Sequence, residues 1–253
     1  MLWCEPMPIP TPLYHPITLN KPLLRVGVML DDWTVPAWVA EVLASIPRSG
    51  VADLTTVILN REPPPARRKS GEGREGELTG TSAGGLGTLL WRLYVRKDER
   101  RNPDFAAPLQ PTNVQTLLTG TRVFDVAPIR DGSVRRFNPA DVVKVKRDCL
   151  DVILSFGFDM LVGDILSTAT YGVWSYDHRD NNEYRGGPVG FWEMYERNQL
   201  TGTTLQVLTE QLDAVRVIYR TYGATRSFES LLDRKSTRLN SSHCLVSRMP
   251  SSA

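Results

Sequence analysis

One β-α-β pattern near the start of this chain constrains its fold more than any other feature. Leu24-Arg-Val-Gly-Val-Met-Leu30 is a short, mostly apolar run of strand length. Pro36 follows at a position suited to a first helical turn, and Trp38, Val39, Val42, Leu43 and Ile46 then recur at helical spacing. Asp53 to Leu59 is a second run of strand length. Strand, helix and strand in that order predict a parallel sheet with right-handed crossovers.

The pattern resumes further on. Val123 to Val126 reads as a strand, and Asn138-Pro139 as a helix entry, with Asn as cap and Pro at the first position. Leu150 to Phe156 reads as a buried strand, Gly157 to Leu161 as a tight loop, Val162 to Ala169 as a short helix and Val173 to Tyr176 as a strand. Leu205, Val207, Val217 and Tyr219 alternate on either side of a turn at Asp213, as in a hairpin. The predicted fold class is α/β: a Rossmann-like, doubly wound, mostly parallel sheet with an antiparallel C-terminal hairpin. Such sheets collect ligands at the carboxyl ends of their strands, so the loops after Phe156 and Tyr176 are expected to be neighbours.

Composition divides the chain into zones. Residues 1–22 are rich in proline and read as an extended lead-in. Residues 23–232 form the expected domain, with a solvated, flexible insertion at about 61–85 where proline, charge and then Gly, Ser and Thr dominate. A helix is expected from Leu86 to Arg96, its basic tail read as a solvated face. Residues 233–253 show no core periodicity and resemble the in-frame translation of a sequencing adapter. They are expected to be a non-native, disordered tail on a fragment ending near Leu232 and carry no functional weight.

Several function classes are excluded on bulk grounds. A net charge of +2 gives no argument for nucleic acid or anionic lipid as a partner. No apolar run approaches the roughly 20 residues that cross a bilayer. Cys4, Cys149 and Cys244 are far apart in dissimilar contexts, so neither a disulfide framework nor a metal site is expected. The default compartment is a reducing cytoplasm. Cys149, at the start of an apolar run, is expected to be small and buried.

Most chemistry-bearing residues fall between Tyr171 and Tyr222. His15 lies in the lead-in and His243 in the tail, which leaves His178 as the credible imidazole. Imidazole suits proton transfer near neutrality, and a nearby carboxylate can orient it and support its cationic form. Taken singly, His178 is an ordinary loop residue, Asp213 an ordinary turn residue, and Arg185-Gly-Gly-Pro188 an ordinary turn into a helix. Their joint order carries the functional argument.

That order resembles the folate-dependent formyltransferases. Arg185-Gly186 is similar to their Arg-Gly turn, Thr201-Gly-Thr-Thr204 to their Thr-Gly-Val-Thr strand start, and Leu212-Asp213 to their acidic turn. Asp151-Val-Ile-Leu-Ser-Phe-Gly157 is similar to the strand and loop that hold the pterin ring. The resemblance implies formyl transfer from 10-formyltetrahydrofolate, as co-substrate, to a small-molecule amine. An amino sugar or sugar nucleotide is the expected acceptor, since no strong basic patch supports a tRNA.

The resemblance also implies roles. His178 would be the acid/base, Asp213 its orienting carboxylate and Ser175, standing where the family has Asn, an oxyanion donor. Counting back from Arg185-Gly186 without gaps puts Asp177 at the histidine position; one deleted residue puts His178 there. Phe156, Gly157, Met160 and Leu161 would line the folate pocket. Val215 replaces the glycine after the acid, and a polar Arg179-Asp-Asn-Asn-Glu183 loop replaces the family's Leu-Leu-Pro. Those departures keep two alternatives open: an inactive ligand-binding module of the same fold, and a non-folate transferase or hydrolase.

Overall fold

The computed structural model describes residues 22–62, 107–131, 134–178, 195–211 and 216–224, with six further helical positions between 93 and 101. A seven-stranded sheet organises them. Its strands are β1 (Leu24–Leu30), β3 (Ala52–Asn60), β5 (Arg122–Val126), β8 (Val152–Ser155), β10 (Val173–Asp177), β11 (Leu200–Val207) and β12 (Arg216–Ala224). Their spatial order is β12-β11-β10-β8-β1-β3-β5. From β10 to β5 the strands run parallel, and β11 and β12 add an antiparallel hairpin to the β10 edge. The doubly wound, mostly parallel sheet expected from the sequence is the architecture observed.

Two small sheets complete the topology. One pairs β2 (Thr34–Pro36) with β4 (Pro111–Asn113). The other joins β6 (Ile129–Asp131), β7 (Val134–Arg136) and β9 (Met160–Val162).

The strand sequences follow from coverage on both faces. Val26, Val28, Leu30, Val57, Leu59, Val152 and Leu154 point to one side, where helix α1 (Ala37–Arg48) lays Val39, Val42, Leu43 and Ile46 over them. Met29, Ile58, Ile153 and Val173 point to the other, against Val145 of helix α2 (Pro139–Arg147), Phe158 and Ile165. A strand covered twice has no polar alternation, which is why β1 and β8 read as continuous apolar runs. Gly27 is required by packing, since a Cβ there would stand 2.6 Å from Leu150 Cδ1.

Local signals set the helix starts. Pro36 caps α1 with φ −59°, one residue before the first helical position. Asn138 accepts a hydrogen bond from the backbone N–H of Asp141 at 3.0 Å, and Pro139 opens α2.

Three local expectations are corrected. Met160–Val162 is a strand, not part of a loop, because it pairs in parallel with β7. Only Asp164–Ser167 of the expected Val162–Ala169 helix is helical, as a 3-10 turn entered through Gly163 at φ 90°. Cys149 is exposed, since the turn from α2 into β8 places it at φ 48° while Leu150 takes the buried position.

Candidate functional site

Strand β10 separates two different environments. Val173 is buried in the α2-side core, whereas Trp174 and Tyr176 pack against the α1-side core. Strand side chains alternate, so Ser175 and Asp177 share the α2 face while Tyr176 and His178 share the α1 face. The ring of His178 accordingly stands 5.1 Å from that of Trp38 on α1, edge to face at 86°.

On the α2 face, register builds a polar patch. Ser175 pairs with Ser155 of β8 on one side and Gln206 of β11 on the other. One step nearer the carboxyl end, Asp177 pairs with Thr204, which pairs with Arg220 of β12. Directly paired residues project to the same face, so these two rows form one surface. Ser175, Asp177 and Arg220 are half-buried and make its mouth; Thr204 and Gln206 are buried beside them. Ser155 Oγ donates to the Gly157 carbonyl at 2.9 Å. Thr204 Oγ1 and Gln206 Oε1 are sealed from solvent without a hydrogen-bond partner. This face thus offers a carboxylate, hydroxyls and a carboxamide oxygen, with one guanidinium at the far end of the row.

On the α1 face, Trp38, Phe156, Tyr176 and His178 form an aromatic cluster. Trp38 meets Phe156 and Tyr176 edge-on at 5.7 and 5.8 Å, and Phe156 stacks on Tyr176 at 5.9 Å. The Tyr176 hydroxyl is buried without a partner, and this desolvation pushes the phenol above its ordinary range. It stays neutral at any physiological pH.

A third group lies at the carboxyl ends of β1 and β3. Arg135 of β7 is buried there, with Nη1 3.5 Å from Asp31 and 3.4 Å from Glu62, and Nη2 3.0 Å from Asp159. Asp31 also accepts from Asn60 Nδ2 at 2.9 Å and from the Phe158 backbone N–H at 3.2 Å. Gly157 fits against that carboxylate only because it lacks a side chain; a Cβ would approach Asp31 Cγ to 2.7 Å.

The residues singled out from the sequence are therefore not all brought together. Ser175 and Asp177 share a face, and His178 lies on the opposite one. Asp213 lies outside the described residues, as does the Arg185-Gly186 turn. The four residues expected around a pterin are dispersed. Phe156 belongs to the α1-face cluster, Gly157 abuts Asp31, Met160 is 45% exposed, and Leu161 is buried in the α2-side core. As a set they do not fit a pterin ring. A small apolar cavity lined by Leu24, Val26, Ile46, Val152 and Trp174 lies at the amino ends of the strands, away from this chemistry. Among the described residues no group of three His, Cys, Asp or Glu is placed to hold a metal ion.

Thr204, Gln206 and Arg220 were not singled out from the sequence as site residues. The signal was present as parity: Thr204 and Gln206 are two apart in β11, as Ser175 and Asp177 are in β10.

No family model and no curated protein matches the chain. Solved structures do. It is similar to a glycinamide ribonucleotide transformylase from Geobacillus kaustophilus (TM-score 0.51, 13% identity, 88% of this chain and 94% of that one). A phosphoribosylglycinamide formyltransferase from Anaplasma phagocytophilum is similar at TM-score 0.51 and 16% identity, over 88% of this chain and 83% of that one. A formyltetrahydrofolate deformylase from Pseudomonas putida is similar at TM-score 0.53 and 10% identity, where 91% of this chain spans 64% of that one. At these identities the likeness is one of fold.

Proposed function

We propose that the protein transfers a one-carbon formyl group from 10-formyltetrahydrofolate to a small-molecule amine, an amino sugar or sugar nucleotide being the favoured acceptor. The fold shared with formyl-handling enzymes supports the reaction class. The observation that carries the reading is the α2-face patch, where Ser175 and Asp177 stand together at the carboxyl end of β10, beside Thr204 and Gln206. Ligands of doubly wound sheets gather at this end.

The roles follow from chemistry. An amine that attacks a formyl carbon must shed a proton, and the carbonyl oxygen becomes an oxyanion. Asp177, half-buried on this face, takes the proton, and the Ser175 hydroxyl donates to the oxyanion; collapse of that oxyanion breaks the bond from the formyl carbon to the carrier nitrogen, which leaves with the proton Asp177 took. His178, ring against Trp38, acts on neither atom from the other side of the sheet. The chemistry assigned here concerns the acceptor side. The donor is proposed on the likeness of fold, since Phe156, Gly157, Met160 and Leu161 do not converge on it.

The test is formyl transfer from 10-formyltetrahydrofolate to a panel of amino sugars. Asp177→Asn is expected to lower kcat about 10²- to 10⁴-fold. His178→Ala is expected to lower it less than about tenfold, well short of what loss of an acid/base group costs. The reverse pattern would return the acid/base role to His178. The position of His178 also favours a second reading, a ligand-binding module that keeps the fold without turnover. Saturable binding of a folate analogue with no transfer to any amine is its signature. No saturable folate binding at all points to a non-folate transferase or hydrolase.

A further inference from the structure

We infer that the proline-rich lead-in of this chain docks on its own domain, seating Ile17 and Leu19 in the apolar cavity at the amino ends of β1, β8 and β10. The inference goes beyond the transferase reading and does not depend on it.

The cavity is a gap between the sheet and the last turn of α1. Leu24 and Val26 of β1, Val152 and Leu154 of β8, Trp174 of β10 and Ile46 of α1 wall it. The polar groups beside it already have partners. The Ser49 hydroxyl donates to the Ile46 carbonyl at 2.6 Å and accepts from the Val51 N–H at 3.3 Å, and Trp174 Nε1 donates to the Tyr171 carbonyl at 2.8 Å. Such walls offer a newcomer no hydrogen bond, so the group that gains by entering is an apolar one leaving water.

The point where the chain enters the fold identifies the occupant. Leu24 opens β1, is tied by its N–H to the Val51 carbonyl at 2.9 Å, and is itself a wall of the cavity. Residues 1–21 lie outside the described residues and join them at Pro22, two positions before Leu24. Their composition is not that of a solvated tail. Glu5 and Lys21 are their charged side chains, against Leu2, Trp3, Ile9, Leu13, Ile17 and Leu19. Segments that stay in water are rich in charge and poor in such residues. Leu23, 48% exposed, carries the apolar character up to the cavity.

Reach and spacing select Ile17 and Leu19. Asn20 and Pro22 are turn-forming residues, and a reversal there lays residues 17–19 back along the cavity mouth. Positions two apart in an extended chain share a side at a spacing of roughly 7 Å, so Ile17 and Leu19 point inward together and Thr18 outward. The cavity crosses three neighbouring strands, a width of roughly 10 Å that takes both side chains. Leu19 is joined to Leu24 by roughly 15 Å of extended chain. Pro16 fixes its own φ and so reduces the freedom lost on docking. The tether holds these side chains at an effective concentration in roughly the millimolar range, an advantage that a second copy lacks. A lead-in docked at the amino ends leaves the carboxyl-end face open.

The test uses the whole chain. Nuclear Overhauser cross-peaks are expected from the Ile17 and Leu19 methyls to the Trp174 indole. A mixed sample, methyl-labelled in one copy and indole-labelled in another, is expected to show none. Xenon enters empty apolar cavities. It is expected to leave the Trp174 signal of the wild type in place and to shift it saturably in the double variant Ile17→Asp/Leu19→Asp. The thermal midpoint of that variant is expected to fall by about 2–4 °C. Ile9→Asp, further back along the lead-in, is the control and should change neither property. Absence of the cross-peaks overturns the inference, and this is read on the wild type however the variant folds. A xenon response equal in wild type and double variant overturns it too, as does an Ile9→Asp effect as large as that of the double variant. Cross-peaks in the mixed sample give the cavity to a second copy and also overturn it.

Discussion

Tyr176 shows how a single side chain can set a measurable property of this fold. Its ring is held between Trp38 and Phe156, and its hydroxyl has no partner. A phenol that loses hydration without gaining a hydrogen bond costs about 1–3 kcal/mol, so Tyr176→Phe is expected to stabilise the protein by about 1 kcal/mol near neutrality. The pH dependence has a definite sign. Burial raises the folded-state pKa above the ordinary value of 10.0. Below that value the phenol is protonated in both states and folding is unaffected. As pH rises through it, the unfolded chain releases a proton that the folded chain retains, and stability falls. Denaturant unfolding of wild type and Tyr176→Phe from neutral to strongly alkaline pH checks both points: the variant should be the more stable throughout and lose less on the alkaline limb. Equal alkaline slopes would place the hydroxyl in contact with solvent.

At the scale of elements, tight packing makes specific demands. Gly157 follows β8 and lies against Asp31, so Gly157→Ala forces that carboxylate away from Asn60 and the Phe158 N–H. Overpacking of this kind costs about 1–3 kcal/mol, measurable by urea denaturation. Asn138→Ala removes the cap of α2 and is expected to cost about 1 kcal/mol by the same measurement. The sequence made these elements legible where burial imposes a period. Val39, Val42, Leu43 and Ile46 announce α1, and Leu150 to Phe156 announce β8. It did so less well where pairing, not burial, makes the structure. Met160–Val162 is a strand only because β7 lies beside it, and no local signal carries that. The site was half legible for a related reason. Ser175 and Asp177 stood out by order along the chain, but adjacent residues of a strand face opposite ways. Choosing between Asp177 and His178 required knowing which face was which. Thr204 stood in the Thr-Gly-Thr-Thr run with no role of its own, and nothing local marks Gln206; only their cross-strand partners place them beside Asp177 and Ser175.

For the molecule as a whole, Arg135 ties the outlying β6-β7-β9 sheet to the main one. Its guanidinium bridges Asp31 after β1, Glu62 after β3 and Asp159 before β9. Arg135→Met is expected to destabilise the fold by about 2 kcal/mol. That is less than a fully buried pair would lose, because Asp159 is 47% exposed. Hydrogen exchange should then show β7 and β9 opening more often, with the β1 and β8 amides less affected. A second consequence comes from the two-sidedness of β10. Its ladder with β8 and β11 fixes which residues look toward α2 and which toward α1. Point substitutions can change what each side presents, but they cannot exchange the sides. An insertion or deletion can: moving the strand by one position would bring imidazole and phenol to the α2 face and send the carboxylate to the aromatic cluster. Length changes near this strand, more than replacements within it, are the route by which such a scaffold would trade one proton-handling group for another.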